Sequence, residues 1–248
     1  MITVIVSGGT VDEAFASGFL DTIRPDHIIA ADRGYHYLKE MGIVPDHIVG
    51  DFDSLPAGER LPDDPNIEIR RFRPEKDDTD TGIAAALAAG MKSDEVYFLG
   101  ATGTRADHMI ANIALLSVLA GRGITGHIVD AHNRISLLVR PCKDWEEKKF
   151  RPDAQAGDRP GAFCTYDPDE KEAVRFVLKR PLQFGKYVSF APYGGPVSGL
   201  TLTGFRYPLQ KRTLSPEEAQ LLVSNEITEE EASVSFTNGA LLMTESLD

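Results

Sequence analysis

In the first half of the chain, short apolar runs alternate with helix-patterned stretches, and that alternation permits few architectures. The runs ITVIV from Ile2, HIIAA from His27, HIVG from His47, IEIRRF from Ile67 and EVYFLG from Glu95 are strand-like, each closed by Gly, Asp or Arg. DTGIAAALAAGM, from Asp80, is rich in alanine, the best helix former, and has Thr79 or Asp80 available as its N-cap. RADHMIANIALLSVLAG, from Arg105, repeats apolar residues at helical spacing through Ile110, Ile113, Ala114 and Leu116 or Ser117, and stops at Gly121. Strand and helix in alternation predict a mostly parallel sheet covered by helices on both faces.

From about residue 124 the pattern changes. ITGHIVD and RISLLV read as two further strands, and the stretch from Pro141 to about Arg180 is charged, rich in proline and glycine, and poorly periodic. KYVSFAP, VSGLTLTGFRYPL and ASVSFTNGALLMT follow. In the last of these, Ala232, Val234 and Phe236 alternate with Ser233, Ser235 and Thr237, and Asn238-Gly239 carries the strongest two-residue hairpin signal. Tyr187, Phe190 and Phe205 read as core residues of these strands. The expected organisation is an α/β fold in which residues 1–140 form a mostly parallel α/β sandwich domain. Residues 141–180 form a junction with an extended insertion, and residues 181–248 form an antiparallel, sandwich-like β domain.

Charge narrows the function. The 26 basic residues are outnumbered by 38 acidic ones, for a net charge of -12 among 248 residues. That argues against a protein whose main task is gripping nucleic acid, yet it permits an anionic ligand at a locally positive or metal-bridged site. Two cysteines, Cys142 and Cys164, without paired ligand spacing, indicate neither a disulfide framework nor a zinc site. No apolar run approaches the roughly 18 residues of a membrane span. MITVIVSGG reads as a first buried strand rather than a signal peptide, so the expected location is the cytoplasm.

The acidic residues gather just past the strands. Asp32 follows HIIAA, Asp51 and Asp53 follow HIV, and Asp77, Asp78 and Asp80 lie between IEIRRF and the next helix. Asp107 follows EVYFLGATG. Open parallel sheets bind ligands at that edge. Any one group has a plain alternative as a turn former or helix cap; four at one edge point to a site. If the backbone of GDFDS is extended, Asp51 and Asp53 point one way and Phe52 the other, and two anions held together require a cation between them. Carboxylate oxygens without nearby histidine or cysteine suit a hard cation, so the predicted ion is Mg²⁺.

A magnesium site built from aspartates goes with phosphate chemistry. GATGTRADH supplies the partners such chemistry needs. Gly100 and Gly103 let backbone approach an anion, a helix N-terminus follows, and Arg105 stands at its start beside Asp107 and His108. SGGT at Ser7–Thr10 reads either as a second such loop or as a plain turn. Lys76 reads either as a phosphate contact or as a balance for its acidic neighbours. No GxxxxGK[ST] loop is present.

AADRGYHYLKEMGIVPDHIVGDFDS, KDDTDTGIAAAL, LGATGTRADHMIANI, TGFRYPL, VSNEI and ASVSFTNGALL together resemble the thiamine pyrophosphokinase family, in order, over nearly the whole chain. The resemblance implies an α/β domain that handles ATP and Mg²⁺, a β domain that helps to hold thiamine, and a homodimer with active sites between subunits. By position, Asp51, Asp53 and Asp80 become the metal ligands and catalytic carboxylates, with Asp107 as a further catalytic candidate and Asp32 nearby. Arg105, Asp107 and His108 fall at the nucleotide and phosphate end, and Lys76, Asp77, Thr79, Gly100 and Gly103 are expected to join them in binding the nucleotide. Ser224 and Asn225 would face thiamine from the partner subunit. Arg33 and Thr104 stand where the family has glycine, and the junction is longer than the family's.

The implied reaction moves the pyrophosphoryl group of ATP to the thiamine hydroxyl, giving thiamine diphosphate and AMP. Either Asp80 or Asp107 would receive the hydroxyl proton. The rival readings are a Mg²⁺-dependent phosphohydrolase and a non-catalytic nucleotide-binding protein.

Overall fold

The computed structural model describes residues 1–73, 78–103, 105–140, 163–165 and 173–248. The chain forms two compact units, Met1–Ala131 and His132–Asp248.

In the first unit, β1 (Ile2–Val6), β2 (His27–Ala31), β3 (His47–Gly50), β4 (Glu68–Arg71), β5 (Glu95–Leu99) and β6 (Thr125–Val129) pair in parallel, in the order β6-β5-β1-β2-β3-β4. All five residues of β1 are buried, as a strand covered on both faces requires, so it reads as an unbroken apolar run. β4, at the edge, exposes Glu68, Ile69, Arg70 and Arg71, and its charges discourage pairing with another chain. Strand order runs outward from β1 to β4 and then resumes at β5 on the other side of β1. The reversal point therefore lies between β1 and β5.

Among the described residues, four helices connect these strands: α1 (Glu13–Ile23), α2 (Gly34–Glu40), α3 (Asp80–Gly90) and α4 (Ala106–Ala120). The last two match the sequence pattern, and Thr79 caps α3 by accepting the Gly82 N–H at 3.1 Å. The first two were not singled out from sequence. α1 repeats apolar residues at helical spacing, through Phe15, Phe19 and Ile23 and through Ala16 and Leu20, and Asp12 caps it through the Phe15 N–H at 2.9 Å, so its signal was present in the sequence. α2 has seven residues and starts at Gly34, where a Cβ would sit 1.8 Å from the Val6 carbonyl oxygen.

Helices cover both faces of the sheet. Phe19 of α1 meets Tyr97 of β5 edge-on with ring centroids 5.5 Å apart, and Tyr97 stacks on His127 of β6. Gly126 points the opposite way. A Cβ there would lie 2.9 Å from Leu116, so glycine admits α4 against β6. No described helix is long and apolar enough to cross a membrane.

The second unit is an antiparallel sandwich. One sheet runs β13 (Asn225–Glu226), β10 (Tyr187–Pro192), β15 (Ala240–Ser246), β7 (Asn133–Val139). The other runs β12 (Leu209–Leu214), β11 (Val197–Thr203), β14 (Glu231–Phe236), β9 (Val174–Lys179), β8 (Phe163–Thr165). Their inner faces share one core that includes Leu138, Phe176, Phe190, Phe205, Phe236 and Met243.

Two expectations fail here. Asn238-Gly239 is not a hairpin turn, because β14 and β15 belong to different sheets. Asn238 instead bridges to Ser198, accepting its N–H at 2.9 Å, while the chain crosses the sandwich. A Cβ at Gly239 would lie 2.6 Å from the Pro196 carbonyl oxygen, so glycine serves close backbone approach. Tyr187 is not a core residue: it is half-buried, and its hydroxyl lies 3.2 Å from Lys186 and 3.3 Å from Asp248. Phe190 and Phe205 are buried, as expected.

Candidate functional site

The C-terminal ends of the parallel strands carry the chemistry. Asp32 follows β2, Asp51 and Asp53 follow β3, Asp80 opens α3, and Arg105 and Asp107 stand at the start of α4. Asp32, Asp51 and Asp53 each place a carboxylate oxygen within 4.8 Å of the others. The extended-strand argument does not produce this grouping. β3 ends at Gly50, and Phe52 is left-handed with φ 68°. An aromatic residue held in that region is strained, so its surroundings must fix it. The Asp53 N–H donates to Asp51 Oδ1 at 3.2 Å, which ties the two residues across the bend.

Asp32 is the third member, also left-handed at φ 52°. Its Oδ2 accepts the Ser54 hydroxyl, so the β2 and β3 exits are joined by side chains. Its Oδ1 is buried without a hydrogen-bond partner among the described residues. Burial above all, and then the charges of Asp80 and Asp51, raise its pKa; the Ser54 hydroxyl and the Arg33 backbone N–H oppose the rise. An orphaned buried oxygen among three converging carboxylates fits a hard cation.

The grouping differs from the set Asp51, Asp53 and Asp80 expected from sequence. Asp32 joins the first two, whereas Asp80 stands in the first turn of α3, near enough for its charge to act on Asp32. Lys76, Asp77 and Thr104 lie outside the described residues.

At the reversal point the two glycine loops pair with each other. Gly9 N–H donates to the Gly100 carbonyl at 2.8 Å and Thr10 N–H to Thr102 at 3.2 Å. A Cβ at Gly9 would lie 2.4 Å from the carbonyl oxygens of Gly100 and Thr102. One at Gly100, where φ is 63°, would lie 2.5 Å from that of Ser7. Glycine is required first for this pairing, which turns two loops into one surface. Thr81 Oγ1 donates to Ser7 Oγ at 3.0 Å and brings the α3 N-terminus to the same place. Asn112, 6% exposed, donates to the Ala101 carbonyl at 2.8 Å and anchors the loop to α4. Thr102 donates to Asp130 at 2.9 Å.

Arg105 and Asp107 face solvent and each other. Nε reaches Oδ1 at 3.2 Å and a terminal guanidinium nitrogen reaches Oδ2 at 2.6 Å, while the His108 N–H donates to Oδ1 at 3.0 Å. The Arg105 hydrogen bonds, ahead of the His108 N–H, hold the Asp107 carboxyl down at about 2. Asp107 is therefore a weak proton acceptor, and Arg105 is a cation already aimed beside a helix N-terminus.

Ser224 and Asn225 differ sharply. Ser224 is exposed and left-handed at φ 55°, with its N–H on Ser189 Oγ at 3.0 Å. Asn225 is 3% exposed. Its Oδ1 accepts the N–H groups of Tyr207 and Glu226, and its amide nitrogen donates to the Tyr207 carbonyl, all at 3.0 Å. Asn225 thus holds the Tyr207 backbone, and Ser224 is the member of the pair that faces outward.

Sequence reasoning missed Ser54 and Asn112. Serine after GDFD and asparagine inside an apolar helix pattern were the available signals.

Comparison with known proteins bears on these positions. Residues 23–125 match the family model for the thiamin pyrophosphokinase catalytic domain, and residues 174–241 match that for the thiamin pyrophosphokinase vitamin B1 binding domain. Thiamine pyrophosphokinase of Bacillus subtilis (strain 168) is 31% identical over 225 residues, which are 89% of this chain and 87% of that one. The crystal structure of thiamine pyrophosphokinase from Bacillus subtilis superposes with a TM-score of 0.74 at 27% identity, covering all of both chains. That of Geobacillus thermodenitrificans gives 0.70 at 29% identity, covering 100% of this chain and 98% of the other. A parallel α/β sheet with carboxylates converging at its C-terminal edge, an antiparallel sandwich and these matches place the chain in the thiamine pyrophosphokinase family.

Proposed function

We propose that this chain, a thiamine diphosphokinase by family, transfers the pyrophosphoryl group of ATP to the hydroxyl of thiamine. The observation that carries the site assignment is the convergence of Asp32, Asp51 and Asp53, with one orphaned buried oxygen, at the edge where the first unit exposes its glycine loops. Asp32, Asp51 and Asp53 would hold Mg²⁺, which when bound neutralises charge on the transferred phosphates.

The chain's own residues do the rest. Arg105 and the N-terminus of α4 offer fixed positive charge to the polyphosphate, which competes with Asp107 for the guanidinium. The thiamine oxygen bonds to the β-phosphorus, the bridging bond between the α- and β-phosphates breaks, and AMP departs with the bridging oxygen. The hydroxyl proton goes to a carboxylate. We assign that role to Asp80, which stands in the first turn of α3, near Asp32. We assign the nucleotide and metal to the first unit and thiamine recognition to the second, in a cytoplasmic homodimer.

Chromatography of the products tests the reading. Thiamine and ATP with Mg²⁺ should give thiamine diphosphate and AMP in equal amounts. ADP with thiamine monophosphate would refute pyrophosphoryl transfer, and ADP with free phosphate would favour hydrolysis. Without thiamine, ATP should remain almost untouched.

A further inference from the structure

The segment after β3 carries Asp51 and Asp53. With Arg71 it lines an open hollow of about 420 Å³, through Phe52, Leu55, Pro56 and Leu61. Within the segment a turn closes through the Glu59 N–H on the Pro56 carbonyl at 3.0 Å. Three carboxylates brought together repel one another, and a segment lining a hollow yields to that repulsion unless braced from outside.

Among the described residues, Arg71 and Glu59 act as braces. Near the start of the segment, the Arg71 guanidinium covers the Phe52 ring at 5.0 Å. At the far end stands Glu59, whose side chain is 6% exposed. Its two oxygens are taken separately, Oε2 by His36 Nδ1 at 2.9 Å and Oε1 by Lys39 Nζ at 3.1 Å. His36 and Lys39 are three residues apart on α2 and so share one face. α2 is the helix into which Asp32 leads. One buried carboxylate therefore ties the end of the Asp51–Asp53 segment to the helix that carries Asp32 at its entry.

We propose that Glu59 is a positioning residue for the cation grip: through His36 and Lys39 it fixes the spacing of Asp51 and Asp53 relative to Asp32. The inference rests on the reading of those three carboxylates as a cation site. Glu59 touches neither substrate nor metal, and it belongs to none of the motifs that carry the family likeness.

Mn²⁺ alone, titrated into the full chain and followed by loss of the free-ion electron paramagnetic resonance signal, reads the grip without catalysis. Glu59→Ala should weaken Mn²⁺ binding by about tenfold, and Glu59→Gln, which keeps the shape and one hydrogen bond to each partner, by less. Asp51→Asn should abolish binding. Wild-type Mn²⁺ affinity in folded Glu59→Ala, with Asp51→Asn dead, overturns the brace. Wild-type affinity in Asp51→Asn instead overturns the underlying cation site. Should Glu59→Ala fail to fold, the double variant His36→Gln/Lys39→Met decides: it removes the partners from the more exposed side and must also weaken Mn²⁺ binding.

Discussion

The guanidinium of Arg105 grips the carboxylate of Asp107 through two hydrogen bonds across two residues of chain, at 3.2 and 2.6 Å. Both side chains are about two-thirds exposed, so the pair itself adds little stability. Its consequence is chemical: a cation is stored next to a helix N-terminus and its counter-ion is a poor base.

A phosphate that displaces Asp107 takes over that cation. Arg105→Gln should therefore raise the KM for ATP by about tenfold or more, the scale of one charge-assisted contact. Asp107→Asn should leave kcat within about threefold of wild type, because Asp80 takes the proton. A hundredfold loss of kcat in Asp107→Asn, measured at saturating ATP and thiamine, would move the general base from Asp80 to Asp107.

Asp51→Asn and Asp53→Asn should each cut turnover by about a hundredfold or more, as loss of a preorganised electrostatic group does. The fold should change little, since relief of like-charge repulsion offsets the lost hydrogen bonds. Chelation with EDTA should silence the wild type, and added Mg²⁺ should restore it. Near-wild-type turnover of both variants at saturating Mg²⁺ would refute the metal assignment.

Why Asp51 and Asp53 were legible and Asp32 was only a neighbour follows from how each is placed. GDFDS carries its signal within five residues. Asp32 joins it through strand order, the Ser54 hydroxyl and a left-handed backbone, none of which has a local pattern. Asp80 was legible as a first-turn acid, and its distance from the trio is set by where α3 begins. The parallel sheet was readable because β1, β2, β3 and β5 are apolar runs. α1 was legible too, with an apolar stripe at helical spacing behind the Asp12 cap, and was passed over; α2 was not, because it is seven residues long. Asn238-Gly239 misled because the same dipeptide serves a hairpin and a crossing between sheets. Only tertiary pairing separates the two.

In the second unit, Arg134 and Glu245 form a buried ion pair, with 2% and 1% exposure, that joins β7 to β15. Arg134 Nε and a terminal nitrogen donate to the carboxylate at 2.6 and 2.8 Å, and the Phe184 N–H adds a third bond at 3.0 Å. Glu245→Ala leaves a buried cation unpaired and should cost about 3–5 kcal/mol in urea unfolding. The double variant Arg134→Met/Glu245→Leu should recover most of that loss. A single variant that costs under about 1 kcal/mol would mean that water reaches Arg134.

Glu59 gives the fold a pH signature. Burial pushes its carboxyl up, but the hydrogen bonds and charges of Lys39 and His36 prevail and hold it below 4.5. A depressed carboxyl contributes stability that is complete above its unfolded value and fades as pH falls through its folded value. The melting-temperature gap between wild type and Glu59→Gln should therefore be wide at about pH 5.5 and close on acidification towards about pH 3. A gap independent of pH over that window would show that Glu59 acts by packing, without its charge.

The proposed assembly has its own test in Ser224. It is exposed, while Asn225 behind it is committed to the Tyr207 backbone, so a change at Ser224 leaves that bracing intact. Ser224→Arg sets a positive charge where the cationic thiamine is proposed to lie, and should cripple thiamine use without unfolding the chain. Asp51→Asn disables the other half of the site. If each site takes its carboxylates from one subunit and Ser224 from its partner, a hybrid of the two variants holds one intact site. Equal mixing with free exchange should then restore roughly a quarter of wild-type activity, because half of the dimers are hybrids with one working site in two. Mass measurement of the mixed dimers confirms exchange. Exchange without recovered activity would place both halves of the site in a single subunit.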